Sequence, residues 1–223
     1  MLTPYVLAQY AQKVYYEAEP HLKHNVKFRR RSGALVSQDL YAHVYFHELQ
    51  NTKRAVPIIA FCGTPPENIS NWITDLKQYP VYHSELGFGP AGFTHGAEEL
   101  FIKLLESSIT YKKHSIALCA PVLVGHSLGG ALAQRVTASI IMSQFPRPRQ
   151  LTVFNSPLPG GRKLRKILRG PGYVHYRHAG DLVSNVDHLF GLYVQALPVY
   201  TVGKFLSVLD AHKIENFLNP DLY

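Results

Sequence analysis

Two cysteines in 223 residues exclude a disulfide-stapled scaffold. Cys62 and Cys119 sit in or beside the apolar runs Ile58-Ile59-Ala60-Phe61-Cys62 and Leu118-Cys119-Ala120, so both read as small buried hydrophobes rather than as metal ligands. No stretch approaches the ~18 consecutive apolar residues of a membrane span. The opening residues, Met1-Leu2-Thr3-Pro4-Tyr5, lack the cationic-then-apolar pattern of a secretory signal. A soluble protein is expected, cytoplasmic or exported by a non-Sec route. Internal repeats, low-complexity runs and linkers are also missing. With 46% hydrophobic and 17% charged residues, the chain has the make-up of one globular domain that buries a core without covalent staples.

Acidic residues are scarce. Fifteen Asp and Glu stand against 23 Lys and Arg, a formal charge of +8. The cations gather at positions 23–31, at Lys112-Lys113, at 147–149 and, most densely, in Arg162-Lys163-Leu164-Arg165-Lys166 with Arg169. Such a surface attracts anions, among them phospholipid headgroups, although for any one cluster a solvated face that only aids solubility is the commoner case. The 162–169 segment is the candidate for peripheral contact with an anionic membrane surface, beside the plainer reading of a solvated face. Basic residues are not interleaved with aromatics in a recognisable motif, so nucleic acid is not an expected partner.

Hydrophobic spacing gives the order of elements. Residues 4–17 have helical spacing, with Tyr5, Leu7-Ala8, Ala11 and Val14-Tyr15 on one face. Residues 18–33 are polar and basic and suit a loop. Segments 34–38 and 41–49 read as two strands of a hairpin. The continuous apolar run 56–62 reads as a central strand, and Pro65-Pro66 stops it. A short helix suits 69–78, with Ile69, Trp72-Ile73 and Leu76 on one side. Two prolines and three glycines mark 79–92 as loop. A long helix is expected over 93–113, a strand over 121–126 and a helix over 127–145, ended by Pro146 and Pro148. Strands follow at 151–155, 174–177 and 192–202, a short basic helix follows Gly160-Gly161, and a final helix or loop-helix covers 206–218. Strands alternating with helices predict a mostly parallel sheet covered on both faces.

The chemistry is announced by Val122-Leu123-Val124-Gly125-His126-Ser127-Leu128-Gly129-Gly130-Ala131. A buried strand breaks at Gly-x-Ser-x-Gly and resumes as a small-residue helix, the pattern of a nucleophile elbow. A glycine-rich strand-to-helix turn capped by Ser127 is the plainer alternative. A serine nucleophile needs a histidine to take its proton and a carboxylate to orient that histidine, in chain order Ser, Asp/Glu, His. Asp181 fits the carboxylate, since the strand over 174–177 runs into Gly180-Asp181; Asp187 is the rival. Downstream of Asp181 only His188 and His212 remain, and His212 follows the last strand candidate. His21, His24 and His43 read as surface or packing residues. The oxyanion donors expected are the backbone N–H of Leu128 and Thr64, which follows the central strand.

Several of these segments together resemble the class 3 (fungal-type) lipases, a branch of the α/β hydrolases. Ala60-Phe61-Cys62-Gly63-Thr64 is similar to that family's oxyanion strand, and Asn71-Trp72-Ile73-Thr74-Asp75-Leu76 to its lid helix. Gly92-Phe93, the elbow with its Gly-Gly-Ala-Leu-Ala continuation, Phe154-Asn155-Ser156-Pro157 and Gly180-Asp181-Leu182-Val183 follow in the family's order. Cys62, Pro90 and Leu182 depart from it: the family often has a basic residue, a histidine and a proline there. The resemblance implies an α/β-hydrolase fold in a single domain over residues 1–223, with the helix and hairpin of residues 1–54 belonging to it. It implies hydrolysis of lipid carboxylic esters through an acyl-enzyme, with Ser127 as nucleophile, His212 as base and Asp181 as its partner. Thr64 and Leu128 would bind the oxyanion, Ile69, Trp72 and Ile73 would line a lid, and no metal or organic cofactor would be required. A phospholipase acting on anionic lipids, and a hydrolase-fold protein that binds lipid or a partner without turnover, are the alternatives.

Overall fold

The computed structural model describes residues 1–16, 42–49, 55–64, 79–106, 110–111, 114–115, 119–184 and 192–223. Helix α1 (Pro4–Tyr16) precedes β1 (Ala42–Glu48) and β2 (Ala55–Phe61). A hairpin of β3 (Pro80–His83) and β4 (Gly87–Pro90) leads into α2 (Ala91–Glu106), and two-residue strands β5 (Thr110–Tyr111) and β6 (His114–Ser115) pair with each other. Then come β7 (Val122–His126), α3 (Leu128–Met142), β8 (Gln150–Phe154), α4 (Arg162–Ile167), β9 (Tyr173–His178), β10 (Val199–Val202) and α5 (Val208–Ala211). Two 3₁₀ turns, Ile214–Phe217 and Pro220–Leu222, complete the described chain.

Six strands form one sheet in the order β1-β2-β7-β8-β9-β10. β1 is antiparallel to β2, and every other pairing is parallel. Alternation along the strands sorts the core into two layers. Ile59 and Phe61 of β2, Leu123 of β7 and Leu151 and Val153 of β8 meet Phe93, Leu100, Leu132 and Leu164 of α2, α3 and α4. From the other face Ile58, Ala60, Val122, Val124 and Phe154 meet Leu7, Ala8, Ala11 and Val14 of α1, with Ile214 and Phe217 of the C-terminal turn. The predicted mostly parallel sheet with helices on both faces is therefore observed. No helix among the described residues is long and apolar enough to cross a membrane.

The structure corrects four local expectations. Segment 79–92 is a hairpin and a helix start, because Gly87 takes φ 78° and closes a three-residue loop between β3 and β4, for which His83 Nδ1 accepts the N–H of Glu85 and of Leu86. The helix expected to reach residue 113 ends at Glu106, and β5 and β6 follow. The strand expected over 192–202 is only Val199–Val202; Pro198 immediately precedes it, and its carbonyl accepts the His175 N–H. Cys119 is only half-buried, whereas Cys62 is buried and burial pushes its thiol up to about 12, which keeps it protonated. The strand expected over 34–38, the helix over 69–78 with Ile69, Trp72 and Ile73, and the rivals Asp187 and His188 lie outside the described residues.

Parallel strands end along a common edge, and in an open α/β sheet the site lies beyond it. Thr64, Ser127, Ser156 and Asp181 all follow the C-terminal ends of β2, β7, β8 and β9. Close approach at this edge depends on glycine. A Cβ on Gly125 would overlap the backbone of Gly129 and lie 2.7 Å from the Gly130 nitrogen; one on Gly130 would lie 2.7 Å from Ser156 Cβ. Gly125→Ala is therefore expected to destabilise the protein by about 1–3 kcal/mol through overpacking against backbone. Gly170→Ala, whose Cβ would find no atom closer than 3.5 Å, serves as the neutral comparison. Denaturant midpoints of the two variants check this, and equal midpoints would overturn the packing argument.

Candidate active site

A strand buried on both faces must become a buried helix within one residue. That forces Ser127 to φ 55° and ψ −131°, a conformation that costs a non-glycine residue on the order of 1–3 kcal/mol. The turn is held by the Ser127 N–H donating to the Phe154 carbonyl (3.0 Å), and the Ser127 carbonyl accepts the Gly130 N–H (2.9 Å). Leu128 begins α3, so its N–H precedes the first intrahelical bond of that helix. Gly63 packs against the elbow: a Cβ there would lie 2.6 Å from the His126 carbonyl oxygen. Thr64, the next residue, is buried beside it.

Three predicted residues meet in space. Ser127 Oγ–H donates to His212 Nε2 over 2.8 Å, and His212 Nδ1–H donates to Asp181 Oδ1 over 2.9 Å. All three side chains are buried. The Asp181 carboxylate also accepts the Val183 N–H at Oδ1 (3.1 Å) and the Ser184 N–H at Oδ2 (3.3 Å). Burial alone would push Asp181 up. The hydrogen bond and electrostatic attraction of His212, with the Ser184 and Val183 donors, outweigh burial and hold the carboxyl below its ordinary value. Asp181 is thus a carboxylate that fixes the proton of His212 on Nδ1 and leaves Nε2 to face the serine.

Four further residues shape the site and were not singled out for it in the sequence. His126 is buried between two elements: its Nε2–H donates to the His212 carbonyl (2.6 Å), and its Nδ1 accepts the Tyr15 hydroxyl of α1 (2.9 Å). Asn155, at φ 42°, donates Nδ2–H to the Ala211 carbonyl (2.8 Å) and accepts the His178 N–H at Oδ1 (2.8 Å). It ties the ends of β8 and β9 to the residue before His212. His175 accepts the Ser156 N–H at Nε2 (3.1 Å), and its Nδ1 pairs with the side-chain amide of Gln195 (2.9 Å). The one sequence signal was Asn155 itself, a residue type that tolerates left-handed φ after a strand. The histidine contacts span up to 111 positions and carry no local signature.

A serine at a positive-φ strand–helix turn, backed by a buried histidine and carboxylate at the edge of a parallel sheet, defines a serine hydrolase of the α/β-hydrolase fold. The model of the class 3 lipase family matches residues 58–190, and the chain belongs to that family. It is a carboxylic ester hydrolase acting on lipid esters. Solved structures of similar fold include the lipase from Rhizopus microsporus var. chinensis, with 14% identity over 96% of this chain and 84% of that one and a TM-score of 0.67. The triacylglyceride lipase of Rhizomucor miehei has 19% identity over 90% and 78%, with a TM-score of 0.64. A mutant form of MDLA from Penicillium cyclopium has 21% identity over 90% and 79%, also at 0.64. At these identities the likeness is one of fold. No curated protein matches the chain in sequence.

Two predictions test the network. Tyr15→Phe strips the donor from buried His126 Nδ1 and is expected to cost about 1–3 kcal/mol, seen as a lowered denaturant midpoint; an unchanged midpoint would show that the bond is not made. The second concerns acid. Burial is the main cause that lowers His126 to about 3 and His175 to about 4, from 6.5. The unfolded chain binds these protons near pH 6.5 while the folded one refuses them, so stability falls as pH drops from about 6.5 toward 4. The slope is about 1.4 kcal/mol per pH unit for each histidine. Asp181 acts in the same direction, its contribution being present above the unfolded value and lost as pH falls through the folded one. His175→Gln should remove one of the two histidine protons from the slope, and a wild-type slope would show that His175 takes up no proton on unfolding.

Proposed function

We propose that Ser127, His212 and Asp181 are the catalytic triad of this lipid esterase. Ser127 Oγ attacks the acyl carbonyl carbon while His212 Nε2 takes the hydroxyl proton, and the C=O pair moves onto oxygen. The oxyanion is held by the N–H of Leu128 and by the N–H and hydroxyl of Thr64. His212 returns the proton to the departing alcohol oxygen as the ester C–O bond breaks. Water, deprotonated by His212, then attacks the acyl-serine, and the acid leaves as Ser127 regains its proton. Asp181 stays ionised throughout and stabilises the imidazolium. The reading rests above all on the unbroken chain of hydrogen bonds from Ser127 through His212 to Asp181.

An acylglycerol is the substrate class we infer, met at the surface of a lipid phase. Around Asp181 the edge of the sheet is apolar and open to solvent: Leu182, Leu206 and Phe205 are exposed, the last at 83%, and the Leu206 carbonyl abuts Gly180. Such side chains fit acyl chains better than water. Ile69, Trp72 and Ile73 are assigned as an apolar cover over Ser127 on the resemblance of their segment alone. Residues 1–223 are taken as one catalytic domain, and what supports including residues 1–54 is the packing of α1 and β1 on the sheet and the bond from Tyr15 to His126.

Hydrolysis of p-nitrophenyl butyrate and palmitate by the wild type and three variants tests this. Ser127→Ala is expected to lower kcat by on the order of 10⁶, and His212→Ala by about as much. Asp181→Asn is expected to cost on the order of 10⁴ through the wrong tautomer. A wild-type rate in any of the three would overturn that residue's assignment. Faster turnover of palmitate than of butyrate supports the acylglycerol class.

A further inference from the structure

Between Glu106 and Asp181 the chain carries eleven Lys and Arg and no Asp or Glu. The densest part of that stretch is α4. Leu164 is buried in the core and Leu168 follows it there, so the helix has one orientation. Arg162, Lys163, Arg165 and Lys166 are all exposed, and Arg169 extends the row. Among the described residues the ion pairs seen, His83–Glu98 on the β3 side and Lys213–Asp210 and His212–Asp181 further off in sequence, do not involve the α4 cations. Nothing in the chemistry proposed for Ser127 uses this charge.

The β3–β4 hairpin adjoins the cationic helix. Lys163 Nζ donates to the Ser84 carbonyl (2.6 Å), the Gly161 N–H donates to the Phe88 carbonyl (3.0 Å), and a Cβ on Gly87 would lie 3.0 Å from Lys163 Cβ. The hairpin holds an aromatic pair out to solvent. Tyr82 and Phe88 face each other across the strands with ring centroids 5.1 Å apart, and they are 64% and 46% exposed. Leu192, also exposed, reaches the same place, since its carbonyl lies 3.0 Å from the Cβ position of Gly161. Two large apolar rings held in solvent beside four cations do not make a solubilising face. They match an anionic lipid surface, where cations meet phosphates and aromatics sit at the boundary of headgroup and acyl chain. The position suits this too. Residues 157–161 run from Ser156, which packs on Gly130 of the elbow helix, straight to α4. The patch is therefore joined through five residues to the sheet edge that carries Ser127.

We propose that α4 and the β3–β4 hairpin form a docking surface for lipid surfaces bearing anionic headgroups, with the α4 cations on the phosphates and Tyr82 and Phe88 at the acyl boundary. Why docking serves this protein rests on the lipid-ester reading above, but the docking can be measured apart from turnover. The test is sedimentation of the full chain with vesicles of pure phosphatidylcholine and with vesicles containing phosphatidylglycerol. The wild type should bind the anionic vesicles far better than the neutral ones and lose most of the difference at high salt. Each cation at the surface adds about fivefold to partitioning. The triple variant Arg162→Gln, Arg165→Gln, Lys166→Gln should then lose on the order of a hundredfold on anionic vesicles and little on neutral ones. It spares Lys163, which holds the hairpin. A second variant, Tyr82→Ser with Phe88→Ser, should weaken binding to both. Turnover of soluble p-nitrophenyl butyrate should be unchanged in both variants, which also shows that they fold. Equal binding to neutral and anionic vesicles, or wild-type binding by the triple variant, overturns the docking surface, as does salt-independent binding. Absent turnover of both p-nitrophenyl butyrate and palmitate in the wild type would overturn the triad and leave the vesicle result standing.

Discussion

Turning a buried strand into a buried helix at a single residue places Ser127 at φ 55° and brings the first turn of α3 against the ends of β2 and β8. Almost everything at the working edge of the sheet follows from that turn. Gly125 and Gly130 are glycines because backbone or Ser156 occupies the place of their side chains. The strain is tolerated because β7 is paired on both sides and the Ser127 N–H and carbonyl are both bonded. The result is a hydroxyl at a helix N-terminus, at the point where a histidine from the end of the chain can reach it.

Burial sets the second constraint. Placing His126, His175, His212 and Asp181 in the interior requires that each find partners there. They do so through one another and through the backbone: Tyr15 to His126, His126 to the His212 carbonyl, Asn155 to the Ala211 carbonyl, Ser156 to His175. The segment carrying His212 has little regular structure of its own, a four-residue helix and a 3₁₀ turn. Its position is fixed by these bonds and by Ile214 and Phe217 in the core. A helix from the start of the chain thus steadies a histidine near its end.

Charge and apolar surface are distributed by the same topology. The working edge carries exposed Leu182, Phe205 and Leu206 beside Asp181, while the cations gather on α4 next to an exposed aromatic pair. Both features suit a substrate that forms its own phase. The residues we propose for reaction and those we propose for attachment are different, so each set can be altered without the other.

Local chemistry by itself determined a good deal of this protein. Alternating and continuous apolar runs gave the parallel sheet, because strands buried on two faces must be apolar throughout. Gly-x-Ser-x-Gly between strand and helix marked Ser127, since so tight a turn is a local property of the backbone. Chain order narrowed the carboxylate and the base to Asp181 and His212 against one rival each. Other features were beyond it. The 79–92 hairpin looked like loop because its two strands, Pro80–His83 and Gly87–Pro90, are short and rich in proline and glycine. The roles of Tyr15, His126, Asn155 and His175 were decided only by tertiary structure. A hydrogen bond between residues 111 positions apart leaves no mark on either neighbourhood, and which buried polar groups face each other is settled only when the sheet and its two helical layers close around them.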